Sequence, residues 1–116
     1  MKLELVEKKH KVEDGKEYTA EYYTLGGYEV DHYVTKYTDG TVWDRVQVNH
    51  IDFMAARKSY LPDISFEDGE SRWSDGRGFK IQTTAYGTLN PDEIQKVIDG
   101  YNTAMEAVKI LTAEFC

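Results

Sequence analysis

The amino-acid sequence predicts an α+β fold: an antiparallel β-meander sheet of about six strands, with a C-terminal amphipathic helix packed on one face. In the first two-thirds of the chain, Asp-Gly and Gly-Gly pairs separate segments rich in β-branched and aromatic residues, which is typical of strands joined by tight turns. After residue 90, apolar residues recur at steps of three and four, the period of a helix. With 116 residues, the chain is expected to form a single domain over residues 1–116.

The first four strands are predicted between residues 2 and 48. Their turns are expected at Asp14-Gly15, Gly26-Gly27 and Asp39-Gly40. Residues 49–62 favour a short helix capped by Asn49, because Asp52 follows three positions later. A further hairpin over residues 63–73 and a last strand over residues 79–87 complete the predicted sheet.

Two-residue turns also fix which residues lie opposite each other across a hairpin. They predict Glu21 opposite His32 and Lys36 opposite Trp43, and they place Trp43 on the same face of the sheet as Tyr23. A single bulge would exchange the faces, because neighbouring residues of a strand point to opposite sides. Alternation alone does not decide which face the helix covers.

The stretch "LNPDEI" predicts the start of the C-terminal helix. Asn90 is the expected N-cap, Pro91 takes the first helical position, and Glu93 completes a capping box. A phosphate-binding loop would need glycines, free backbone N–H groups and a nearby lysine, so a helix start is the better interpretation. The expected apolar stripe is Ile94, Val97, Ile98, Tyr101, Met105, Val108, Leu111 and Phe115. Gly100, inside this helix, predicts a close approach to another backbone, either in the sheet or in a second copy, so that a homodimer is allowed.

The net charge is −7, from 21 acidic and 14 basic residues. Such a surface repels phosphate backbones and anionic membranes, so we expect no direct binding to nucleic acid or to a membrane. The one cysteine, Cys116, excludes an internal disulfide. No apolar run approaches the roughly 18 residues of a membrane helix, and no signal peptide is evident. These observations predict a protein of the reduced cytoplasm, in a host cell if the resemblance below holds.

Catalytic patterns are missing from the sequence. It holds three histidines, but His10 and His32 are predicted about 11–12 Å apart, too far to share a metal ion. There is no nucleophile elbow, Walker loop or dinucleotide fingerprint. The prediction is a protein that is not an enzyme, with no catalytic residue, no metal and no cofactor.

Binding is the remaining class of function, and two hypotheses differ in the partner. In the first, acidic hairpins and exposed tyrosines contact a basic protein that handles nucleic acid, with carboxylates imitating phosphates. The residues predicted to bind this partner are Glu67, Asp68, Glu70, Tyr23, Tyr28 and Trp43. In the second, the tyrosine-rich face and Trp43 stack on a small aromatic ligand such as a nucleotide, with Lys36 or Arg45 on its phosphate.

Residues 81–115, "IQTTAYGTLNPDEIQKVIDGYNTAMEAVKILTAEF", resemble the close of small uncharacterised proteins carried by phages and prophages of Gram-positive bacteria. The whole chain is similar in composition to several anti-CRISPR and other anti-defence proteins, which are short, acidic and tyrosine-rich. The resemblance implies a phage-type inhibitor that occupies a host nuclease, with a CRISPR-associated nuclease as one candidate. It also implies, as an alternative, sequestration of a signalling nucleotide, and a phage structural or assembly role stays open. These families share no diagnostic motif, so no functional residue is carried over.

Overall fold

The computed structural model describes residues 1–67, 77–82 and 86–116. The predicted α+β class is confirmed. The elements are β1 (Leu3–Glu13), β2 (Lys16–Leu25), β3 (Tyr28–Lys36), β4 (Val42–His50), α1 (Phe53–Lys58), β5 (Asp63–Glu67), β6 (Gly78–Gln82) and α2 (Pro91–Phe115). The six strands form two antiparallel sheets instead of one, a four-stranded meander in the order β1-β2-β3-β4 and the hairpin β5-β6.

The first two hairpins have the predicted turns and the predicted register. Asp14 and Gly15 have φ values of 52° and 75°, and Gly26 has 59°, the left-handed conformation that tight turns require. Glu21 pairs with His32 as expected. In β1 the register shifts between Leu5 and Glu7, which marks a bulge.

The third hairpin differs from the prediction by one residue. Its loop is five residues long, from Tyr37 to Thr41, so Lys36 pairs with Val42 and not with Trp43. Asp39 stabilises this longer loop, because its Oδ1 accepts hydrogen bonds from the Thr41 N–H at 2.9 Å and the Thr41 hydroxyl at 2.6 Å. Every side chain of β4 is therefore on the opposite face from the one predicted.

The four-stranded sheet has two unlike faces. The helix-side face carries the buried core residues Leu25, Tyr28, Val30 and Val46, which pack with Ala104, Ala107 and Leu111 of α2 and with Ile64 of β5. The other side, here called the open face, has no covering element among the described residues. Its central side chains are Tyr18, Ala20, Tyr22, Tyr33, Thr35, Trp43 and Arg45.

Helix α2 begins as predicted, but its predicted apolar stripe is only partly buried, with Val108, Leu111 and Phe115 in the core. The Asn90 side chain accepts from the Glu93 N–H at 2.9 Å, and the capping box is complete. Its buried residues are Gly100, Ala104, Ala107 and Leu111. The predicted Ile94, Ile98 and Met105 are exposed, because the helix turns its smallest side chains inward, where Gly100 lies against the main chain of Tyr60. No helix of the described chain is both long and apolar enough to cross a membrane.

The short helix α1 begins later than predicted. Its N-cap is Asp52, whose carboxylate accepts from the N–H groups of Met54 and Ala55. Asn49 cannot cap the helix because it is still paired in β4, opposite Glu29.

Candidate functional site

Neither of the two predicted partner-binding tyrosines, Tyr23 and Tyr28, is exposed. Tyr28 has 0% exposure, and its hydroxyl donates to the Pro62 carbonyl oxygen at 2.6 Å. The prediction that Tyr28 lies on a contact surface is therefore wrong, since a fully buried side chain cannot touch a partner. Tyr23 is half-buried on the helix-side face, with its ring 5.8 Å from that of Phe115. Burial, and then the charge of Glu21, raises the pKa of Tyr23 to about 12.

The predicted acidic group is only partly described. Glu67 ends β5, and its Oε2 forms an ion pair with the Lys80 Nζ at 2.9 Å. Asp68 and Glu70 lie outside the described residues. The one acid of this group that the structure describes, Glu67, therefore lies in the β5-β6 hairpin, outside the four-stranded sheet that carries Tyr23 and Tyr28.

Among the predicted partner-binding residues that the structure describes, Trp43 is the one with an exposed side chain, at 44%. The five-residue loop puts it on the open face, together with Arg45. Lys36, the other cation proposed for a phosphate, is on the helix-side face, because it pairs with Glu17 and Val42.

Trp43 forms one wall of a notch on the open face. Register places Tyr18, Thr35 and Trp43 side by side across β2, β3 and β4. Thr35 is the small residue between these two aromatic walls, and its neighbours leave only 8% of it exposed. We call Tyr18, Thr35 and Trp43 the aromatic notch.

The spacing of the notch suits one planar ring. Its walls stand two strands apart, which is about 9.5 Å between Cα atoms. A ring inserted between them would have a neighbour at about 4.5–5 Å on each side, within the range that aromatic pairs favour. The notch belongs to a shallow cavity of about 350 Å³.

Next to the notch along the strands, a second row on the open face consists of Lys9, Ala20, Tyr33 and Arg45, of which the first three line the cavity. Lys9 and Lys11 line the cavity, and its lining, which comes entirely from described strands, contains no carboxylate. Lys11 Nζ is bound to Glu13 at 2.6 Å, and this hydrogen bond raises the pKa of Lys11. The site therefore combines aromatic walls with local positive charge in an acidic protein.

Four residues of this site were missed by the sequence reasoning: Lys9, Lys11, Tyr18 and Thr35. The register predicted for β1 with β2 already placed Lys9 opposite Ala20, so a map of both faces could have found the lysines. The notch itself required the correct register of β4, which depends on the length of the third loop.

A second polar cluster on the helix-side face has a structural role. The His32 ring lies between Glu21 Oε1 at 3.0 Å and Asp44 Oδ1 at 2.8 Å, and the Arg77 guanidinium contacts the same Asp44 oxygen at 3.0 Å. Burial tends to raise the pKa of Asp44, but hydrogen bonds from Arg77 and His32 outweigh it and lower that pKa. The Phe115 ring covers His32 at 5.0 Å, so the cluster ties α2 to the sheet.

A third polar site is a cleft of about 480 Å³ between α1 and the start of β5, lined partly by His50, Arg57 and Tyr86. His50 Nε2 lies 3.2 Å from the Pro62 carbonyl oxygen, and its Nδ1 lies 3.4 Å from Asp63 Oδ1. Both ring nitrogens are thus engaged. Across the described part of the chain, no three histidine, cysteine or carboxylate side chains converge as a metal site would require.

Comparisons with known proteins return no match: no family model, curated protein or solved structure is similar to this chain. The resemblance to phage anti-defence proteins therefore stays a prediction, and the function rests on the geometry of the site.

Proposed function

We propose that this protein is a non-enzymatic binding protein that holds a nucleotide on the open face of its sheet, with the base inserted in the aromatic notch. The observation that carries the proposal is the row Tyr18–Thr35–Trp43, in which two aromatic side chains flank a buried small residue. Stacking of a base on aromatic side chains contributes about 1–3 kcal/mol per base. A phage protein of this kind would act by sequestering a signalling nucleotide.

Fluorescence titration tests the proposal. The chain has two tryptophans, Trp43 and Trp73, so a Trp73→Phe background leaves Trp43 as the reporter. Adenosine and uridine, with their 5′-monophosphates, are expected to quench its emission in a saturable way. Binding at a site other than the notch would leave the emission unchanged.

Calorimetry on two variants distinguishes binding in the notch from binding elsewhere on the surface. Trp43→Leu removes one wall and is expected to weaken binding by about 5- to 150-fold, the equivalent of one stacking contact. Thr35→Leu keeps both walls but fills the floor, and it should prevent insertion of the base. Phe53→Leu, at an aromatic residue of α1 that is even more exposed than Trp43, serves as the control and should bind like the parent protein. Equal affinities in all four proteins would contradict the proposal.

A second candidate function is inhibition of a basic nucleic-acid-handling host protein, such as a CRISPR-associated nuclease. The acidic excess favours it, together with exposed carboxylates at Asp92, Asp99, Glu106 and Glu114 of α2. A pull-down from host lysate, washed at about 0.1 and then 0.5 M salt, tests it, because exposed ion pairs are screened at the higher salt. A partner that binds equally well after charge reversal of Glu67, Asp68 and Glu70 would exclude the predicted acidic contact.

A further inference from the structure

We propose that the phosphate of the bound nucleotide lies over Ala20 and is bound by Lys9, so that the ligand is a single nucleotide oriented with its phosphate toward β1. This inference rests on the proposed function, because it assumes a base in the aromatic notch. It adds the direction of the ligand, the chemical class of its second group and a residue that recognises that group.

The orientation follows from where the open face has small side chains. Thr35 forms the floor between Tyr18 and Trp43, and Ala20 forms a second low point between Lys9 and Tyr33. Because Ala20 lies two residues along β2 from Tyr18, the two low points are diagonal neighbours about 7–8 Å apart. A base over Thr35 therefore places its sugar and phosphate over Ala20.

Lys9 is the cation best placed to bind this phosphate. It pairs directly with Ala20, whereas Arg45 is separated from Ala20 by Tyr33 in the same row. Its ammonium is held loosely, at 3.8 Å from Glu7 Oε1 and 5.6 Å from the centre of the Tyr22 ring. The ammonium of Lys11 already forms a 2.6 Å ion pair with Glu13. A phosphate can therefore replace the long Lys9–Glu7 contact at little cost.

The charges around the site favour a single nucleotide over a nucleic-acid strand as the ligand. Glu7 and Glu13 are on the same face of β1 as Lys9 and Lys11, so carboxylates limit the positive region at both ends. A polyanion that continued past the notch would meet these charges, in a chain whose net charge is −7. A nucleoside monophosphate presents its charge only where the lysine is.

The test compares matched ligands on matched variants. Adenosine and adenosine 5′-monophosphate are titrated by calorimetry at about 0.05 M salt, where an exposed charge pair is weakly screened. The parent protein is expected to bind the monophosphate about two- to fivefold more tightly than the nucleoside, the contribution of one exposed charge pair. Lys9→Gln should remove this difference and leave the affinity for adenosine unchanged. Arg45→Gln, the matched control, should retain the difference.

Every other outcome overturns the phosphate inference, the proposed function or both. If both ligands bind with equal affinity and both depend on Trp43, the phosphate inference is overturned and the proposed function stands. If Arg45→Gln and not Lys9→Gln removes the difference, the ligand has the opposite orientation and the inference is overturned. Failure of both ligands to bind overturns the inference together with the proposed function. Tighter binding of a short single-stranded oligonucleotide than of the monophosphate would contradict the assignment to one nucleotide.

Discussion

Gly100 of α2 lies against the main chain of Tyr60 with no room for a methyl group between them. A Cβ built on Gly100 would be 3.0 Å from the Tyr60 carbonyl carbon and closer still to its oxygen. Tyr60 is in the left-handed conformation, with φ of 55°, and its hydroxyl donates to Glu93 Oε2 at 2.7 Å. The close approach predicted at Gly100 is therefore confirmed, but the neighbour is the turn after α1 and neither a strand nor a second copy.

Gly100→Ala is expected to destabilise the protein by about 1–3 kcal/mol, because the added methyl group overpacks this contact. In an isolated helix the same change would stabilise by about 1 kcal/mol, so the sign reports on the contact with Tyr60. The free energy of unfolding in urea measures the effect. Asn102→Ala, at an exposed position of the same helix, should stay within about 0.5 kcal/mol of the parent. A variant Gly100→Ala as stable as the parent would show that α2 does not pack at this depth.

Tyr28→Phe is expected to cost about 1–3 kcal/mol of stability and to leave nucleotide binding unchanged. The substitution removes the donor to the Pro62 carbonyl oxygen from a fully buried site. Chemical denaturation and ligand titration on the same preparation give both quantities. Tyr37→Phe is the control, since the Tyr37 side chain is exposed. Weakened ligand binding in a stable Tyr28→Phe protein would show that the Tyr28 hydroxyl contributes to ligand binding.

Stability is expected to fall between pH 10 and pH 12 as Tyr23 loses its proton. Burial, and then the charge of Glu21, raises the pKa of Tyr23 from 10.0 to about 12, and burial raises the pKa of Tyr28 as well. Because the folded state holds these protons more tightly than the unfolded state does, their contribution is complete below pH 10 and is lost above it. Urea denaturation at a series of pH values, with tyrosinate absorbance, follows the loss. Tyr23→Phe should show a shallower decline, and an identical decline would contradict the assignment.

Lowering the pH is expected to weaken the attachment of α2 to the sheet, because it protonates the Asp44 carboxylate that holds His32 and Arg77. Burial opposes ionisation of this carboxyl, but hydrogen bonds from Arg77 and His32 lower its pKa below 3.8. The folded state therefore binds this proton less tightly than the unfolded state does. The stabilisation is present above pH 3.8 and is lost as the pH falls from 3.8 through the folded pKa. Asp44→Asn should be less stable than the parent at neutral pH and should lose less stability in acid. Glu29→Gln, at an exposed acid of β3, is the control and should be as stable as the parent at neutral pH.

The parts of the fold that were predicted correctly are those set by local chemistry. The turn at Gly26-Gly27 leaves only one register for its hairpin, and Glu21 pairs with His32 as a result. Asn90 and Glu93 define the start of α2 because they satisfy each other's backbone donors. Such features depend on residues a few positions apart, which a sequence displays directly.

The parts that were predicted wrongly depend on packing or on one residue of loop length. Asp39 and Gly40 occupy the third loop as expected, but the hydrogen bonds of Thr41 to Asp39 lengthen it and turn Trp43 to the other face. The inward face of α2 is set by its contact with Tyr60, which periodicity does not reveal. Trp43 was therefore named as a binding residue without the neighbours that form its notch.

The bulge in β1 has a consequence for self-association. A strand at the border of a sheet exposes unpaired backbone groups that can template aggregation with another copy. Strand β1 occupies that border, yet six of its 11 residues, LELVEKKHKVE, are charged, and the bulge at Val6 interrupts its regular ladder. Lateral addition of a second chain would have to match an irregular backbone and align these charges. This irregular, charged edge strand thus disfavours fibril-like stacking of the protein.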